Sequence, residues 1–311
     1  MEIIRGPFNI KPEHRGNVVT LGNFDGVHRG HQQLIDQLCI KAAEHGLPSL
    51  LVTFEPQPRE FFAGAQVPPR LTRLREKAAL LDRTGLDRLL LLPFNERTAN
   101  TPATWITDDL LHGLLGAKHV VVGDDFRFGN NREGDYQFMR MAGERLGYTV
   151  APTETFMLED ERVSSSRVRA ALAKGDFELA EVLLGHMYFI MGRVVYGRQL
   201  GRQLGVPTAN IRLQRYKAAL EGVYCVRVEG VDDQVYQGIA NIGVRPTVDG
   251  KEPLLEVHIF DFQGDIYNSL LTVTFTHKLR DEFAFESLDA LKAQIEKDIG
   301  QAREWFAQHD G

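Results

Sequence analysis

The chain has 311 residues, of which 43% are hydrophobic and 25% charged, and its formal net charge is −6 at pH 7. This length allows two ordinary domains with sizeable cores, and the two fractions are those of a globular protein that folds in water. The acidic balance argues against broad, nonspecific binding to nucleic acid. The local cluster of Arg198, Arg202, Arg212 and Arg215 could still bind phosphates, although a solvated face is the simpler interpretation.

The cysteines, the N-terminus and the lengths of the apolar runs indicate a cellular compartment. Cys39 and Cys225 fall in different predicted domains and share no metal-ligand spacing, which is typical of buried free thiols in a reducing compartment. The N-terminus has few apolar residues among its charges, so no signal peptide is visible, and no apolar run approaches membrane-spanning length. We therefore expect a soluble, cytoplasmic protein without a membrane partner.

In the first half of the chain, strand and helix signals alternate. Short apolar runs predict strands, and apolar residues at helical spacing predict helices. The predicted strands cover 18–21, 49–53, 88–93 and 118–122, and the predicted helices cover 34–42, 72–84, 101–115 and 136–146. Thr101 followed by Pro102 predicts the cap and first turn of the third helix. The alternation predicts a parallel sheet with right-handed crossovers, whose ligands bind beyond the carboxyl ends of the strands.

The densest motif of the first half is G-N-F-D-G-V-H-R-G-H, from Gly22 to His31, directly after the first predicted strand. Its glycines, among them Gly26 and Gly30, allow tight turns and a close approach of the backbone to a ligand. The N-terminus of the following helix favours an anion, and His28 and His31 can each donate a hydrogen bond to a phosphate oxygen. The alternative is a common glycine-rich turn whose histidines cap the helix or face water. Two histidines in a strand–turn–helix context favour a nucleotide-phosphate site.

Three further segments of the first half can carry chemistry, and each has a plainer explanation. Segment 123–129, G-D-D-F-R-F-G, follows the fourth predicted strand, and its aromatic residues either flank a planar ring or return to the core. Segment 164–169 offers serine hydroxyls and Arg169, which suit a leaving pyrophosphate or simply begin a helix. Segment 53–58 either forms the wall of a substrate pocket or is a connection shaped by its prolines.

The rhythm changes after two short helical patterns that end near residues 184–185. Predicted strands at 194–196, 224–228, 237–241, 255–260 and 272–275, with Gly- and Asp-rich turns between them, indicate a small antiparallel barrel. A helix over about 288–306 closes the chain. The predicted fold class is therefore α/β, with an N-terminal parallel-sheet domain over 1–184 and a C-terminal barrel domain with a final helix over 185–311.

The second dense motif is G-R-Q-L-G-V-P-T-A-N, from Gly201 to Asn210. Its glycines permit a phosphate-facing loop, and the Thr208 hydroxyl and the Asn210 amide oxygen can both reach Mg²⁺ or a phosphate. Taken alone, the string is more typical of a loop before a strand. Further on, strand alternation leaves Glu256 either as a general base for a hydroxyl or as a solvent-facing barrel residue, and the pattern does not choose between them.

The motifs together resemble one family over most of the chain, from about Thr20 to Arg303. H-x-G-H is similar to the signature of the nucleotidyltransferase superfamily, and G-x-F-D-G-V-H-x-G-H resembles that of the bacterial bifunctional riboflavin kinases/FMN adenylyltransferases (FAD synthetases). V-G-x-D-F-x-F-G and S-S-S-x-V-R match this family in order and spacing. In the second half, G-x-x-L-G-x-P-T-A-N is highly specific for the riboflavin kinase domain, and A-N-I-G, R-P-T, E-V-H and K-L-R-D-E follow in the family's order.

For the first domain, the resemblance implies a Rossmann-like nucleotidyltransferase fold that transfers AMP from ATP to FMN and releases pyrophosphate. It implies that His28 and His31 stabilise the α-phosphate in flight, while Arg169 and Ser165 hold the departing phosphates. The remaining implied ATP-binding residues are Gly22, Asn23, Phe24, Asp25 and Gly30, with Asn23 and Asp25 close to ATP or its metal, and the implied flavin-binding residues are Phe54, Asp125, Phe126 and Phe128. No acid or base is needed, because the FMN phosphate is already an anionic nucleophile.

For the second domain, the resemblance implies phosphoryl transfer from ATP to riboflavin, which gives FMN. The implied ATP-binding residues are Gly201, Thr208 and Asn210, of which Thr208 and Asn210 also ligate Mg²⁺; Glu256 activates the ribityl hydroxyl, and Arg280 and Glu282 bind the flavin. The chain departs from the family pattern at His186, Met187, Met191, Tyr196 and Asn268. These positions lie near the metal and base residues rather than on them, so the departures concern substrate affinity more than the reaction.

The leading hypothesis is a two-site enzyme, without a nucleic-acid partner, that makes FMN and then FAD from riboflavin and two ATP molecules. The oligomeric state is left open, with a monomer favoured. One alternative is a single-activity adenylyltransferase whose barrel binds flavin or a partner without catalysis, and the intact Thr208, Asn210 and Glu256 weigh against it. The other alternative is a non-enzymatic flavin or nucleotide sensor, and the paired His28 and His31 weigh against it.

Overall fold

Six parallel strands form the sheet of the first half of the chain, in the order β1-β4-β3-β2-β5-β6. The computed structural model describes residues 1–123, 125–197, 201, 205–247 and 250–309, of which 65, 244–247 and 250–252 are described by their backbone alone. The strands are β1 (Glu2–Arg5), β2 (Asn17–Leu21), β3 (Ser49–Glu55), β4 (Arg88–Pro93), β5 (Ala117–Gly123) and β6 (Thr149–Thr153). The four central strands are apolar runs buried on both faces, as a covered parallel sheet requires, and the predicted parallel sheet is confirmed.

Helices and short turns connect these strands. The helices are α1 (Arg29–His45), α2 (Pro58–Ala63), α3 (Leu74–Asp82), α4 (Glu96–Ala99) and α5 (Tyr136–Leu146), with a π-helical segment over Trp105–Leu114. Short 3₁₀ turns lie at Pro7–Asn9, Pro12–His14, Gly64–Gln66 and Asn130–Arg132, and β7 (Met157–Leu158) and β8 (Glu161–Arg162) form a small hairpin. Helix α1 buries the side chains whose spacing predicted it, Leu34, Ile35, Leu38 and Ala42.

The third predicted helix begins and winds differently from the prediction. Its Trp105–Leu114 part is π-helical. The Thr101 hydroxyl donates to the carbonyl of Arg97 in α4 at 2.8 Å, and among the described residues no N–H of the third helix donates to it. The backbone N–H of Ala103 is instead satisfied by Glu133 Oε1 at 2.7 Å. The predicted Thr101 cap is therefore wrong, because Glu133 accepts the N–H at the start of this helix in its place.

The sequence analysis did not predict the two edge strands of the sheet, β1 and β6. Among the described residues, β1 pairs only with β4, and β6 pairs only with β5. Only Ile4 of β1 is buried, and β6 alternates exposed and half-buried residues, including Pro152. Edge strands are covered less than central ones and so lack the apolar run that signals a buried strand.

Six antiparallel strands close into a barrel in the second half, in the order β10-β13-β12-β11-β14-β9. They are β9 (Phe189–Val195), β10 (Ala209–Arg212), β11 (Gly222–Glu229), β12 (Tyr236–Thr247), β13 (Gly250–Ile259) and β14 (Leu270–Arg280), and α8 (Leu288–His309) follows them. The predicted small antiparallel barrel with a final helix is confirmed. Strand β9 begins earlier than the predicted 194–196. Strand β10 was not among the predicted strands, and it begins at the last two residues of the second dense motif, which is typical of a loop before a strand.

The chain packs as two units, Met1–Val67 with Arg73–Ser165, and Pro68–Thr72 with Ser166–Gly311. Helices α6 (Ser165–Lys174) and α7 (Phe177–Leu184) belong almost entirely to the second unit. The ring of Phe177 packs edge-on against Tyr224 of β11, with 5.8 Å between the centroids. The packing unit thus changes before the boundary predicted at 184/185, which remains a prediction about functional domains.

The two cysteines are free, but they differ in burial. Cys225 is buried, and burial raises the pKa of its thiol to about 12. Cys39 is only partly buried, so the prediction of buried thiols holds for Cys225 alone. Within the described residues, no helix has the length and apolarity needed to cross a bilayer.

Candidate active sites

The loop of the first dense motif leaves β2 at the point where the strand order of the sheet reverses. From β2 the chain proceeds through β3 on one side and meets β5 on the other. Ligand crevices open at such switch points, beyond the carboxyl ends of the strands. Phe24 and Val27 have left-handed φ values of 47° and 43°, which are strained for residues with a side chain. A Cβ on Gly22 would lie 2.9 Å from the buried Phe24 ring, so this position requires glycine.

His28 and His31 form a stacked pair at the beginning of α1. His28 is the N-cap residue, and the two ring centroids lie 3.6 Å apart with 16° between the planes. The Phe24 ring lies 4.9 Å from the His31 ring. A Cβ on Gly30 would lie 3.4 Å from the His28 ring, which explains the small residue between the histidines. The pair therefore sits at the positive end of the helix dipole, as a phosphate site requires.

The His31 imidazole is held in its neutral form. Burial lowers its pKa well below the ordinary value, and the positive charges of His28, Lys77 and Arg162 lower the pKa further. Its Nδ1 is buried and has no hydrogen-bond partner among the described residues. A neutral imidazole has one N–H donor and one acceptor nitrogen, so neutral His31 can donate one hydrogen bond to a phosphate oxygen.

Lys77 was not predicted as a site residue, yet it anchors the loop. This side chain is fully buried, and its Nζ donates to the carbonyl of Asn23 at 2.5 Å and lies 3.4 Å from Thr53 Oγ1. A signal existed in the sequence, because Lys77 shares the apolar face of α3 with Leu74 and Leu81 at helical spacing. A charged residue on a buried face indicates a specific partner.

Ser165 and Arg169, both predicted to hold phosphates, have different surroundings. The Ser165 hydroxyl donates to the backbone carbonyl of the buried Asp25 at 2.9 Å, so it contacts the predicted ATP loop. Arg169 belongs to the second packing unit, where its Nε donates to the carbonyl of Pro69 at 2.5 Å. The phosphate-binding role of Arg169 stays a prediction.

The predicted flavin segment after β5 is held by an ion pair and a ring stack; Asp124, within it, lies outside the described residues. Asp125 Oδ2 lies 2.8 Å from Arg162 Nη1 of β8, and this hydrogen bond lowers the pKa of the Asp125 carboxyl. Phe126 stacks on Phe128 with 5.4 Å between the centroids. Phe128 is buried in the core, whereas Phe126 is half-buried, so Phe126 is the more accessible of the two rings.

Phe54, the fourth predicted flavin residue, belongs to an aromatic cluster that was not predicted. The cluster consists of Phe54 at the end of β3, Phe94 after β4, and Phe61 and Phe62 of α2. Phe94 lies 5.6 to 5.7 Å from each of the other three rings, in edge-on or steeply tilted contacts. Phe62 is 70% exposed and Phe61 42% exposed, so the cluster presents aromatic surface at the carboxyl edge of the sheet.

In the barrel, strand register brings the predicted kinase residues together. Asn210 of β10 pairs directly with Glu256 of β13, and Glu256 pairs on its other side with Asn241 of β12. The three side chains therefore project from the same face of the sheet in one row. Asn241 had been noted only as part of the A-N-I-G segment, without an individual role.

Asn210 is buried at the end of the second dense motif, of which residues 202–204 lie outside the described part of the chain. It is 6% exposed, and its Oδ1 is buried without a hydrogen-bond partner among the described residues. Its Nδ2 lies 3.3 Å from the carbonyl of Thr208. A Cβ on Gly197 would lie 2.5 Å from the Asn210 side chain, and one on Gly201 would collide with the carbonyl of Val206. The two glycines leave room for the amide and for the loop.

Two cavities meet at Thr208, which lies in the wall of both. The larger, about 470 Å³, also contains Asn210, Phe262 and Tyr267 in its wall. The smaller, about 300 Å³, contains Glu256. Its other walls come from β12, β14, the segment that follows β14 and α8, and they include Asn241, Arg280, Glu282, Phe283, Phe285, Leu291 and Ile295. The predicted ATP residues and the predicted flavin residues of the barrel thus line two adjoining spaces.

Arg280 and Glu282 are each held by a neighbour. Arg280 donates to both carboxylate oxygens of Asp298 at 2.8 to 3.1 Å. Glu282 Oε1 accepts a hydrogen bond of 3.1 Å from Asn241 Nδ2. A Cβ on Gly243 would collide with the Glu282 carboxylate. Asp298 was not predicted, although a single aspartate among the apolar positions of the final helix is a readable signal.

The departures from the family pattern have local explanations at two positions. Asn268 has a left-handed φ of 66°, a conformation that asparagine tolerates best after glycine. Tyr196 stacks on Tyr267 with 3.8 Å between the centroids, beside the larger cavity. His186 Nδ1 lies 2.9 Å from the carbonyl of the adjacent Met187. Met191 lies opposite Thr272 in the β9–β14 ladder, and nothing in the structure explains the choice of methionine there.

The basic cluster is not a uniform solvated face. Arg198 and Arg202 lie outside the described residues, and Arg212 is exposed. Arg215 is buried, and its guanidinium donates to the carbonyl of Arg70 at 3.0 Å within the second packing unit. A structural role thus replaces the solvated interpretation at Arg215.

Comparisons with known proteins cover both halves of the chain. Residues 10–167 match the family model for FAD synthetase, and residues 184–306 match the one for riboflavin kinase. The bifunctional riboflavin kinase/FMN adenylyltransferase of Pseudomonas fluorescens is 52% identical over 97% of both chains, and that of Escherichia coli K12 is 46% identical over 98% of both. A solved structure described as the macrolide-efflux protein of Streptococcus pneumoniae has a TM-score of 0.79 at 31% identity, covering 98% of this chain and 100% of its own.

Proposed function

The chain belongs to the family of bifunctional riboflavin kinases/FMN adenylyltransferases, and we propose that it carries out both reactions itself. The barrel unit phosphorylates riboflavin with ATP to give FMN, and the parallel-sheet unit transfers AMP from a second ATP to FMN, giving FAD and pyrophosphate. One observation carries this proposal. A chain that aligns over 97% of its length with a bifunctional relative carries two candidate phosphate sites, each on a different fold.

In the kinase reaction, we assign ATP to the larger barrel cavity and riboflavin to the smaller one. Aromatic rings of Phe262 and Tyr267 line the larger cavity and suit an adenine. The smaller cavity is lined by Phe283 and Phe285, which suit the planar isoalloxazine. Thr208 lies in both walls, so the γ-phosphate and the ribityl hydroxyl can meet beside it.

Glu256 is the group positioned to take the proton of the ribityl hydroxyl. It lines the smaller cavity between two asparagines, in direct register with Asn210 and Asn241. As the hydroxyl oxygen bonds to the γ-phosphorus, the bond from that phosphorus to the β,γ-bridging oxygen breaks, and the proton passes to the carboxylate. Rigid strands hold Glu256 and Asn210 at a constant separation during this transfer.

The residues at the junction of the two cavities fit a magnesium ion. The buried Asn210 Oδ1, which has no hydrogen-bond partner within the described part of the chain, and the Thr208 hydroxyl are oxygen ligands of the kind that Mg²⁺ prefers, together with substrate phosphates and water. When bound, the ion neutralises charge on the β- and γ-phosphates. Asn210 and Thr208 would hold it on the side of the larger cavity.

In the adenylyl transfer, His28 and His31 stabilise the α-phosphate as charge develops on it. An oxygen of the FMN phosphate bonds to the α-phosphorus while the bond to the bridging oxygen of pyrophosphate breaks, so no proton has to move. Stacked rings at a helix N-terminus are fixed before the substrate arrives and need no reorganisation. We assign ATP or its metal to the loop of Asn23 and Asp25, and the departing phosphates to Ser165 and Arg169.

For the flavin of this second reaction, we assign the neighbourhood of Phe54, Asp125, Phe126 and Phe128. Phe126 and the exposed part of the aromatic cluster offer ring faces beside the carboxyl edge of the sheet. Arg162 keeps Asp125 ionised and oriented. Phe128 supports Phe126 from the core.

We also propose that the enzyme works in the cytoplasm as a monomer and that its substrates are small molecules, with no nucleic-acid partner. The two free thiols support a reducing compartment. The functional boundary is proposed at 184/185, and the match to the riboflavin kinase family from residue 184 supports it.

Product analysis after mixing the protein with riboflavin, ATP and Mg²⁺ tests the proposed function. We expect FMN to appear first and FAD to follow. FMN without FAD would contradict the assignment of the histidine pair, and formation of neither would require a second reaction with FMN supplied directly. FAD formed only in that second reaction would leave the adenylyl site standing and refute the kinase site.

A further inference from the structure

Two arginine–aspartate pairs of similar geometry tie the final helix α8 to the barrel. Arg280 of β14 donates through Nε and Nη2 to Asp298 of α8, at 2.8 to 3.1 Å. Arg303 of α8 donates through both Nη atoms to Asp261, at 2.8 and 3.0 Å. The Asp298 side chain is 2% exposed, whereas that of Asp261 is 76% exposed. The first pair is therefore removed from water and the second is not.

The buried pair lies in the wall of the smaller barrel cavity. Asp298 and Arg280 both line it, next to Leu291 and Ile295 of the same helix. Asp298 Oδ1 also accepts a hydrogen bond of 2.7 Å from Gln294 Nε2, so several donors orient the carboxylate. A buried, bidentate carboxylate–guanidinium pair holds the planar guanidinium in one orientation.

Arg280 in turn organises the segment that follows β14. Its Cζ lies 4.7 Å from the ring centroid of Phe283 and 5.7 Å from that of Phe285. Its Nη1 donates to the carbonyl of Asp281 at 2.9 Å. Segment 281–285 is neither helix nor strand, so its path depends on contacts of this kind.

We propose that Asp298 is a positioning residue of the riboflavin site. By holding the Arg280 guanidinium, Asp298 places the rings of Phe283 and Phe285 along the wall that receives the isoalloxazine. The proposal rests on the proposed kinase function of the barrel. It predicts an effect on riboflavin and not on ATP, because Asp298, Arg280 and the two phenylalanines line the smaller cavity alone.

The two arginine–aspartate pairs provide a matched test. Asp298→Asn keeps the size of the side chain and removes its charge, and Asp261→Asn does the same at the exposed pair of the same helix. For Asp298→Asn we expect the KM for riboflavin to rise about tenfold, with the KM for ATP and the conversion of FMN to FAD changed by less than about twofold. For Asp261→Asn we expect all three quantities to stay within about twofold of the wild type. Riboflavin binding, measured by quenching of flavin fluorescence, should weaken in parallel with KM.

The outcomes distinguish a positioning role of Asp298 from a general destabilisation of α8. An unchanged KM for riboflavin in Asp298→Asn would overturn it, and so would an equal rise in Asp261→Asn. If Asp298→Asn does not fold, Gln294→Met decides, since it leaves the ion pair in place and removes one hydrogen bond that orients the carboxylate. A rise of about two- to threefold in the KM for riboflavin is then expected, and no rise refutes the proposal. Absence of FMN formation by the wild type would instead refute the proposed function itself.

Discussion

The two candidate active sites are held in place by different means. In the parallel-sheet unit, the phosphate loop includes left-handed, strained residues at Phe24 and Val27 and depends on a hydrogen bond from the buried Lys77. In the barrel, Asn210 and Glu256 face each other across a strand ladder and need no strained backbone. A site on a loop is only as rigid as its anchors, whereas a site on paired strands inherits the rigidity of the sheet. Substitutions behind the loop should therefore displace the catalytic groups of the first site, whereas Glu256 and Asn210 should stay in register when residues behind the barrel strands are changed.

The largest effect should come from the barrel base. Glu256→Ala should reduce FMN formation from riboflavin by about three orders of magnitude, since a positioned general base contributes on that scale. Conversion of supplied FMN to FAD should be unchanged, because that reaction belongs to the other unit. Initial rates of both reactions, resolved by chromatography, check this. Glu229→Ala, at an exposed position on β11, serves as the control, and unchanged kinase activity in Glu256→Ala would sink the base assignment.

Substitution in the histidine pair should have a slightly smaller effect, and it should impair adenylyl transfer rather than the kinase reaction. His28→Ala should slow FAD formation by about two orders of magnitude, in the range of a lost donor to a developing charge, and leave riboflavin phosphorylation near normal. His45→Ala, at the exposed end of the same helix, is the matched control. Equal loss of both activities in His28→Ala would mean that the two units do not act independently or that folding failed.

The loop anchor should show the difference between the two sites most directly. Lys77→Met keeps most of the side-chain volume but leaves the Asn23 carbonyl without its 2.5 Å donor, so the loop should shift. Misplacement of catalytic groups by a fraction of an ångström should lower adenylyl transfer by about tenfold. Arg75→Met on the exposed face of the same helix should not. A Lys77→Met protein with unchanged adenylyl transfer would show that the loop keeps its conformation without the hydrogen bond from Lys77.

The smallest effect concerns pH and His31. Its folded-state pKa lies well below the ordinary value of 6.5, with burial as the main cause. As the pH falls below 6.5, His31 takes up a proton in the unfolded chain before it does so in the folded protein. The contribution of neutral His31 to the free energy of unfolding is therefore full above pH 6.5 and decreases as the pH falls from 6.5 to the lower folded-state pKa. The thermal unfolding temperature of the wild type should therefore fall more between pH 7 and pH 5 than that of His31→Gln. Identical pH dependence in the two proteins would contradict a neutral, buried His31.

Much of the fold was readable in the sequence because its signals are local. The central strands were apolar runs, and α1 was predicted by the spacing of Leu34, Ile35, Leu38 and Ala42, which the structure buries. The edge strands β1 and β6 carried no such run. The Thr101 cap failed because the N–H of Ala103 is bonded to Glu133, a residue 30 positions further along the chain that no local pattern indicates. The roles assigned to site residues stay predictions until activities are measured.

The amino-acid sequence alone determined the two folds, their order and the two phosphate motifs, since glycine turns, helix starts and strand alternation depend on residues close together in the chain. Only the tertiary structure decided which distant side chains support those motifs. Lys77 lies 54 residues from Asn23, and Asp298 lies 18 residues beyond Arg280 on another element. A buried charge takes its meaning from its partner, and the partner is set by how separate elements pack.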